Sequence, residues 1–194
     1  MLIHFIGSKG SIATEIDYYR RIIAVVEKGG HALTNSWIEE AYKISSSDKN
    51  FDNLDWDSIY TENMESLAKT DLVIADVTAK SFAVGFQAAI ALQQKKPTLL
   101  LQRESEANGH SSFYPASAKD NLLKHKVYND DNLEQIIESF ISENRIDNKD
   151  LRFNFFIDRQ IYNYLRWASF KTGKTKAEIL RELVQHEIEK QDQI

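Results

Sequence analysis

The chain has 194 residues, 42% of them hydrophobic, and a net charge of -5 at pH 7, which is the composition of a water-soluble protein of one or two domains. It contains no cysteine, so disulfides, cysteine-ligated zinc and a cysteine nucleophile are excluded. The acidic balance argues against binding nucleic acid through bulk charge. Without a membrane-length apolar run or a signal-peptide pattern, we expect a cytoplasmic location.

The chain begins with a strand, a small polar turn and a helix. Leu2–Ile6 is an apolar run that predicts the first strand, and Gly7–Ser11 forms the turn. Free backbone N–H groups ahead of a helix can bind an anion, which makes Gly7 and Ser8 candidate phosphate contacts. Many α/β proteins carry such a turn without a ligand, so both interpretations stay open. The helix is indicated by an apolar stripe of Ile12, Ile16, Tyr19, Ile23 and Val26.

Residues 31–69 predict a short strand, a long loop and a helix. His31–Asn35 is the second strand, and residues 36–57 are polar, with a helical turn expected near residues 38–42. Trp37 and Trp56 bracket this loop and either cover a nucleobase or pack the loop itself. Long loops in compact domains often form binding sites. Ser58–Lys69 completes this part of the chain as a helix.

The segment from Asp71 to Pro97 organises the rest of the chain. Leu72–Ala75 predicts a strand buried on both faces, Phe82–Leu92 a buried helix and Thr98–Leu101 the next strand. A right-handed crossover makes the two strands parallel. In such sheets ligands bind beyond the carboxyl ends of the strands, which here means residues 76–87.

A polar loop at residues 102–121, a fifth strand at Lys124–Tyr128 and an amphipathic helix at residues 130–143 end the first domain. We therefore predict an α/β domain over residues 1–143. Its fold is Rossmann-like or flavodoxin-like, with a five-stranded parallel sheet and flanking helices. Residues 144–150 are polar and charged without a period, and they predict a linker.

The motif at residues 81–88, Ser-Phe-Ala-Val-Gly-Phe-Gln-Ala, resembles one motif of the nucleoside 2-deoxyribosyltransferase family. It is most similar to the Ser-x-Gly-Val-Gly-Tyr-Glu-Leu motif of the branch of 2'-deoxynucleoside 5'-phosphate N-hydrolases, and the resemblance covers roughly Leu2 to Ser142. It implies a nucleoside or nucleotide ligand, no metal and no cofactor. Gly85 also has a plain structural use, in packing the helix closely on the sheet. The ligand-binding positions so implied are His4, Gly7, Ser8, Asp76, Ser81, Ala83, Gly85 and Ser112.

Two family catalytic positions hold amides in this chain. The family's nucleophilic Glu corresponds to Gln87, and its helical Asp partner corresponds to Asn63. A glutamine does not ionise and is a poor nucleophile, yet it keeps the size and hydrogen-bonding capacity of the site. We expect nucleotide binding by a pseudoenzyme. The alternative is an active N-glycosidase or deoxyribosyltransferase in which Glu62 supplies the missing carboxyl group. His4 replaces the family's Tyr and either contacts the ligand or is a buried strand residue.

The hydrophobic pattern changes at residue 151, and residues 151–194 predict a strand and two helices. Leu151, Phe153, Phe155 and Ile157 alternate with Arg152, Asn154 and Phe156, and helices follow at Arg159–Lys171 and after the capping box Thr175–Glu178. About 45 residues of this kind do not close a core alone. The pattern resembles the ribbon-helix-helix family, in which two chains pair their strands, so we expect a homodimer or a larger homo-oligomer.

The same resemblance implies contacts with DNA. The outward strand residues Arg152, Asn154 and Phe156 would enter the major groove, while Lys174, Thr175 and Lys176 would bind a phosphate. One hypothesis is therefore a ligand-responsive DNA-binding regulator. Basic and acidic residues nearly balance in this segment, so the competing hypothesis is an oligomerisation scaffold without DNA binding.

Overall fold

The computed structural model describes residues 1–46, 54–106, 121–145 and 154–191. The chain divides into two compact units, Met1–Ile146 and Asp147–Ile194, which we call unit 1 and unit 2. No helix within the described ranges combines the length and the apolar character that crossing a bilayer requires.

Unit 1 is built on a five-stranded parallel sheet, as the sequence predicts, and the structure gives the strand order β2-β1-β3-β4-β5. In register, Ile3 pairs with Leu72, Val73 with Thr98 and Leu99 with Lys124. The strands are β1 Leu2–Ile6, β2 Ala32–Leu33, β3 Leu72–Asp76, β4 Thr98–Arg103 and β5 Leu123–Tyr128. The helices are α1 Ile12–Lys28, α2 Ile38–Ser45, α3 Trp56–Lys69, α4 Phe82–Gln93 and α5 Leu133–Glu143, with short 3-10 turns at Lys9–Ser11 and Glu104–Glu106.

Helices cover both faces of the sheet, which explains the continuous apolar runs of its strands. On one face, Phe5, Ile74 and Leu101 pack with buried residues of α1, α2 and α5. On the other face, Val73 and Leu100 pack with buried residues of α3 and α4. The result is a three-layer α/β architecture that confirms the predicted fold class of this part of the chain.

The region predicted as a long loop contains more helix than the sequence suggested. A full helix, α2, spans Ile38–Ser45, and α3 begins at Trp56. The reason is burial: Ile38 and Ala41 lie one turn apart and are both buried in the core that α1 shares. The second strand is shorter than predicted, because only Ala32 and Leu33 pair with β1.

The turn after β1 packs against a buried tyrosine of α1. The Tyr19 hydroxyl accepts a hydrogen bond from the backbone N–H of Ser8 at 3.0 Å, and its ring is fully buried. A Cβ atom added to Gly7 would lie 2.8 Å from that ring. Glycine is therefore required at this position by the close approach of Tyr19.

The turn after β3 is fixed by a buried polar cluster. The side chain of Asp76 accepts hydrogen bonds from the Tyr128 hydroxyl at 2.9 Å and from the Thr78 backbone N–H at 3.0 Å. Thr78 Oγ1 in turn accepts from the backbone N–H of Arg103 at 3.0 Å. Arg103 also forms a two-bond ion pair with the buried Glu15 of α1, at 2.9 and 3.0 Å. The ends of β3, β4 and β5 are thereby tied to α1.

Unit 2 contains two helices, α6 Arg159–Thr172 and α7 Lys176–Gln191. Asp158 caps α6 by accepting from the Ile161 N–H at 2.8 Å, and Gly173 ends it in the left-handed conformation. Residues 154–157, the described part of the predicted strand, form no strand. A single β-segment without a neighbouring strand has no ladder of hydrogen bonds to form. The buried core of unit 2 consists of Leu165, Ala168 and Ile179, with Ile157 and Leu180 partly buried against them.

We predict that Gly7→Ala destabilises the protein by about 1–3 kcal/mol, because the added methyl group overpacks the buried Tyr19 ring. The matched control is Gly10→Ala in the same turn, where the nearest atom to an added Cβ is Ser8 Oγ at 3.9 Å. Urea denaturation of both variants measures the difference. Equal stability of the two variants would contradict the packing explanation for Gly7.

We predict a specific pH dependence of stability from Asp76. Burial raises the pKa of this carboxyl group from 3.8 to about 6, against the lowering effect of its hydrogen bonds from Tyr128 and Thr78. The folded state therefore binds a proton that the unfolded state releases between about pH 4 and pH 6. The contribution of Asp76 to stability falls as pH rises through this window. Relative to Asp76→Asn, the natural protein should lose on the order of 1–3 kcal/mol between pH 4.5 and pH 7.5.

Thermal denaturation of both proteins across this range checks the prediction. The difference between the two proteins is the relevant quantity, because all other titrating groups are common to both. A difference that stays constant with pH would show that Asp76 titrates in the folded state as it does in the unfolded chain.

Candidate functional site

A cavity of about 230 Å³ lies where β1 and β3 end. Its walls come from the turn after β1, from α3 and from the first turns of α4. Five residues predicted from the sequence meet there: Gly7, Asn63, Ser81, Ala83 and Gln87. Ser81 is the N-cap of α4, and its hydroxyl accepts weakly from the Val84 N–H at 3.5 Å. The structure thus brings the two amides at the family catalytic positions to one site.

Sequence reasoning did not assign Lys9 and Asn35 to the site, and it left Trp37 and Trp56 with two interpretations. All four line the cavity. Lys9, Asn35 and Trp37 also line an adjoining cavity of about 550 Å³ between α2 and α3, as do Ile59 and Asn63. Because they share these walls, the two cavities are adjacent, and we call the pair the cleft. The sequence signal for Lys9 was its position in a small polar turn, between Gly7 and Gly10.

Gln87 is oriented by His4. The His4 ring is fully buried, with Nε2 lying 3.3 Å from Gln87 Oε1 and Nδ1 lying 3.1 Å from Thr34 Oγ1. Burial lowers the pKa of His4, the hydrogen bond to Gln87 raises it and the charge of Lys96 lowers it. The neutral tautomer that fits both neighbours donates from Nε2 to Gln87 and accepts from Thr34 at Nδ1. Gln87 then turns its NH₂ group away from His4 as a free donor.

Lys9 is half-buried at the junction of the two cavities. Its ammonium lies 5.6 Å from the centre of the Trp56 ring and forms no salt bridge with a described carboxylate. Burial lowers the pKa of Lys9, while the more distant carboxylates of Glu40 and Glu62 raise it. Lys9 is therefore a partly desolvated cation facing the cleft.

The carboxylates around the cleft are confined to the larger cavity. Glu40, Asp55, Glu62 and Glu65 line it, while no described residue around the smaller cavity carries a carboxylate. No group of three His, Asp or Glu residues in the described part of the chain is placed to hold a metal ion. The smaller cavity is therefore positive and amide-rich, and the larger one is acidic.

Four described residues among the predicted ligand contacts, His4, Ser8, Asp76 and Gly85, do not line the cavity. Ser8 is buried, and its backbone N–H already donates to Tyr19, while Asp76 is fully buried and bonded to Tyr128 and Thr78. These two residues support the turns beneath the site instead of facing it. Gly85 is exposed, with no described atom within 4 Å of an added Cβ, so it does not pack against the sheet as expected. Ser112 lies outside the described residues.

In unit 2, Asn154 and Phe156 are exposed, as a DNA-contacting face requires, and Arg152 lies outside the described residues. The predicted phosphate-binding residues have partners within the chain. Lys174 pairs with Glu182, and Lys176 lies over the Tyr162 ring at 4.2 Å.

The capping box at the start of α7 closes this helix end. The Glu178 carboxylate accepts from the Thr175 N–H at 2.7 Å and from the Thr175 hydroxyl at 2.8 Å. The carboxylate of Glu178, a residue of α7 itself, thus caps the start of this helix.

Comparison with known proteins gives nucleotide enzymes as relatives. No protein-family model matches the chain. The chain is 29% identical over 142 residues to 5-hydroxymethyl-dUMP N-hydrolase of Esox lucius, covering 72% of this chain and 95% of that protein. It is 26% identical over 140 residues to the protein of the same name from Danio rerio, with coverage of 72% and 95%.

A solved structure of the Clostridium botulinum CMP N-glycosidase superposes with a TM-score of 0.49 at 14% identity, over 72% of this chain and 97% of that one. The sequence relatives support the resemblance to the 2'-deoxynucleoside 5'-phosphate N-hydrolase branch. The chain is similar in sequence to proteins named as nucleotide N-hydrolases.

Proposed function

We propose that unit 1 binds a nucleoside monophosphate in the cleft and leaves its glycosidic bond intact. One observation carries this proposal: among the described residues around the smaller cavity, Lys9 is the only charged side chain, and the polar ones include the amides of Asn35, Asn63 and Gln87. A cation that forms no salt bridge with a described carboxylate favours an anionic ligand such as a phosphate monoester. The relatives named 5-hydroxymethyl-dUMP N-hydrolase support a nucleotide as that ligand.

The absence of turnover follows from the chemistry of the two amides. Cleavage of an N-glycosidic bond by a retaining mechanism needs a carboxylate nucleophile and an acid for the leaving base. The resemblance assigns these roles to the positions of Gln87 and Asn63, and neither side chain ionises. Loss of such groups removes several orders of magnitude in rate. The hydrogen-bonding capacity of the site is kept, because an amide both donates and accepts.

The alternative function is an active N-glycosidase with a relocated carboxyl group. Glu62 is the candidate, because it neighbours Asn63 on α3, lines the larger cavity and interacts electrostatically with Lys9. Under this alternative the natural protein releases free base and Glu62→Gln abolishes the release.

A second proposal concerns unit 2, which we infer forms a homodimer in the manner of the ribbon-helix-helix family. Its described part exposes ten large apolar side chains, more than a self-contained unit of this size leaves in water. Pairing of residues 151–157 between two chains would supply the missing strand ladder. These exposed side chains are Phe155, Phe156, Ile161, Tyr162, Tyr164, Trp167, Phe170, Leu183, Val184 and Ile188.

We expect deoxynucleoside monophosphates to bind without release of free base, with binding followed by calorimetry and base release by chromatography. The double variant Gln87→Glu plus Asn63→Asp restores both carboxyl groups and should gain detectable base release. Gln93→Glu adds a carboxylate to an exposed position of the same helix and should gain none. Base release by the natural protein, in proportion to its concentration, would overturn the proposal, and Glu62→Gln would then test the relocated acid.

We expect the full chain to run as a dimer or larger oligomer in light scattering and Val184→Asp, on the exposed stripe of α7, to shift it to a smaller species. The neighbouring exposed Gln185→Asp adds the same charge without removing apolar surface and serves as the control. A monomeric natural protein would contradict the dimer.

Selection from random duplexes then separates a regulator from a scaffold. If the protein is a regulator, it selects duplexes of a defined sequence, and the double variant Arg152→Ala plus Asn154→Ala loses this selectivity. A scaffold selects none, and Phe156→Ser changes its oligomer size.

A further inference from the structure

The two tryptophans of the cleft are held very differently. Trp37 is fixed: its Nε1–H donates to the Phe5 carbonyl at 3.3 Å, and its ring lies parallel to Phe5 with centroids 6.4 Å apart. Tyr19 meets it edge-on at 6.1 Å. Trp37 is thus part of the hydrophobic core, and it forms a rigid wall of the cleft.

Trp56 is the opposite case. It is the first residue of α3, its side chain is 50% exposed and its ring contacts no other aromatic ring among the described residues. Its indole face is covered by the ammonium of Lys9, which reaches across from the turn after β1. A cation over a half-exposed ring is held only weakly. One face of Trp56 is therefore available to any flat group that displaces Lys9.

We propose that Trp56 is the stacking platform for the nucleobase, and that Lys9 leaves its ring for the phosphate of the ligand on binding. This inference rests on the proposed function and specifies how the ligand is recognised. It assigns the base to one tryptophan and the phosphate to one lysine, and it makes the two contacts mutually dependent.

The exchange is favoured by electrostatics. Among the described residues, the ammonium of Lys9 is partly desolvated and has only the Trp56 ring quadrupole and the charges of Glu40 and Glu62 as partners. A phosphate monoester offers up to two negative charges at hydrogen-bonding distance, which is a much stronger interaction at a partly buried position. Departure of Lys9 then exposes the indole face, and stacking is tolerant of base identity because every base has a π-face.

Side-chain amides that can hydrogen-bond to a nucleoside also line the cavity near Trp56. Asn63 lies two helical turns after Trp56 on α3, and Gln87 lies across the cavity on α4 with its NH₂ group free to donate. These amides can bond to the edge of a base or to a sugar hydroxyl. Trp37 closes the cavity from the sheet side, so a stacked base would lie between a movable ring and a rigid one.

The experiment uses the full chain carrying Trp167→Phe, which removes the tryptophan of unit 2, and follows intrinsic fluorescence with dUMP, deoxyuridine and inorganic phosphate as probes. We expect dUMP to quench the fluorescence of Trp56, and we expect this quenching to be absent in Trp56→Phe. Trp56→Leu should weaken dUMP binding about tenfold, whereas Trp56→Phe keeps a ring and should weaken it less than about threefold.

Lys9→Met should weaken dUMP binding about tenfold, leave deoxyuridine binding within about twofold and be rescued by Lys9→Arg. Lys43→Met, on the exposed surface of α2 and outside both cavities, is the charge control. Binding of dUMP that is unchanged in Trp56→Leu would overturn this inference and leave the proposed function standing. Failure of the natural protein to bind any nucleoside monophosphate by calorimetry would overturn both.

Discussion

The site exists because two neighbouring strands send their helices to opposite faces of the sheet. After β1 the chain enters α1, which packs on the face that holds Phe5 and Ile74. After β3 it enters α4, which packs on the face that holds Val73 and Leu100. The two turns separate as they leave the sheet, and a crevice opens between them. The smaller cavity spans this divergence, with Gly7 and Lys9 on one side of it and Ser81 and Gln87 on the other.

The turns that border the crevice are held by buried polar groups that do not face it. Tyr19 supports the first turn through the Ser8 N–H, and Asp76 supports the second through the Thr78 N–H. Hydrogen bonds of this kind in a low-dielectric interior are costly to break, so they hold the walls of the crevice in place before a ligand arrives. Asp76 is polar at a strand end, where ligand contacts are expected, yet its side chain serves the fold.

Strong periodicity and buried runs were enough to predict the parallel sheet, α1, α4 and the helices of unit 2. The second helix of unit 1 was predicted only as a helical turn near residues 38–42, because its short apolar stripe is stabilised by the burial of Ile38 and Ala41 against α1. The hydrogen bond of Asp76 to Tyr128 was not foreseen, because Tyr128 lies 52 residues away on a strand that sequence alone does not place near it. Lys9 and Trp56 lie 47 residues apart in the sequence, and only the folded chain shows that they meet.

Charged side chains are distributed unevenly between the two cavities of the cleft, and this distribution suits a ligand with one anionic end. Replacing carboxylates by Gln87 and Asn63 removes negative charge from the smaller cavity, where Lys9 lies, while Glu40 and Glu62 remain in the larger one. A phosphate in the smaller cavity would meet weaker carboxylate repulsion than one in the larger cavity beside Glu40 and Glu62. Under the proposed function, the amides that remove catalysis would also favour retention of a nucleotide, so loss of turnover and gain of affinity would have one physical cause.

The same reasoning about competing charges bears on unit 2. A phosphate approaching the start of α7 would have to displace the Glu178 carboxylate, which already accepts two hydrogen bonds from Thr175. It would also have to separate Lys174 from Glu182. Burying the exposed apolar side chains is favourable in proportion to their area. These charges favour the proposed self-association over phosphate binding at the helix end, and under that proposal contact with DNA would depend on the side chains of residues 151–157 more than on the start of α7.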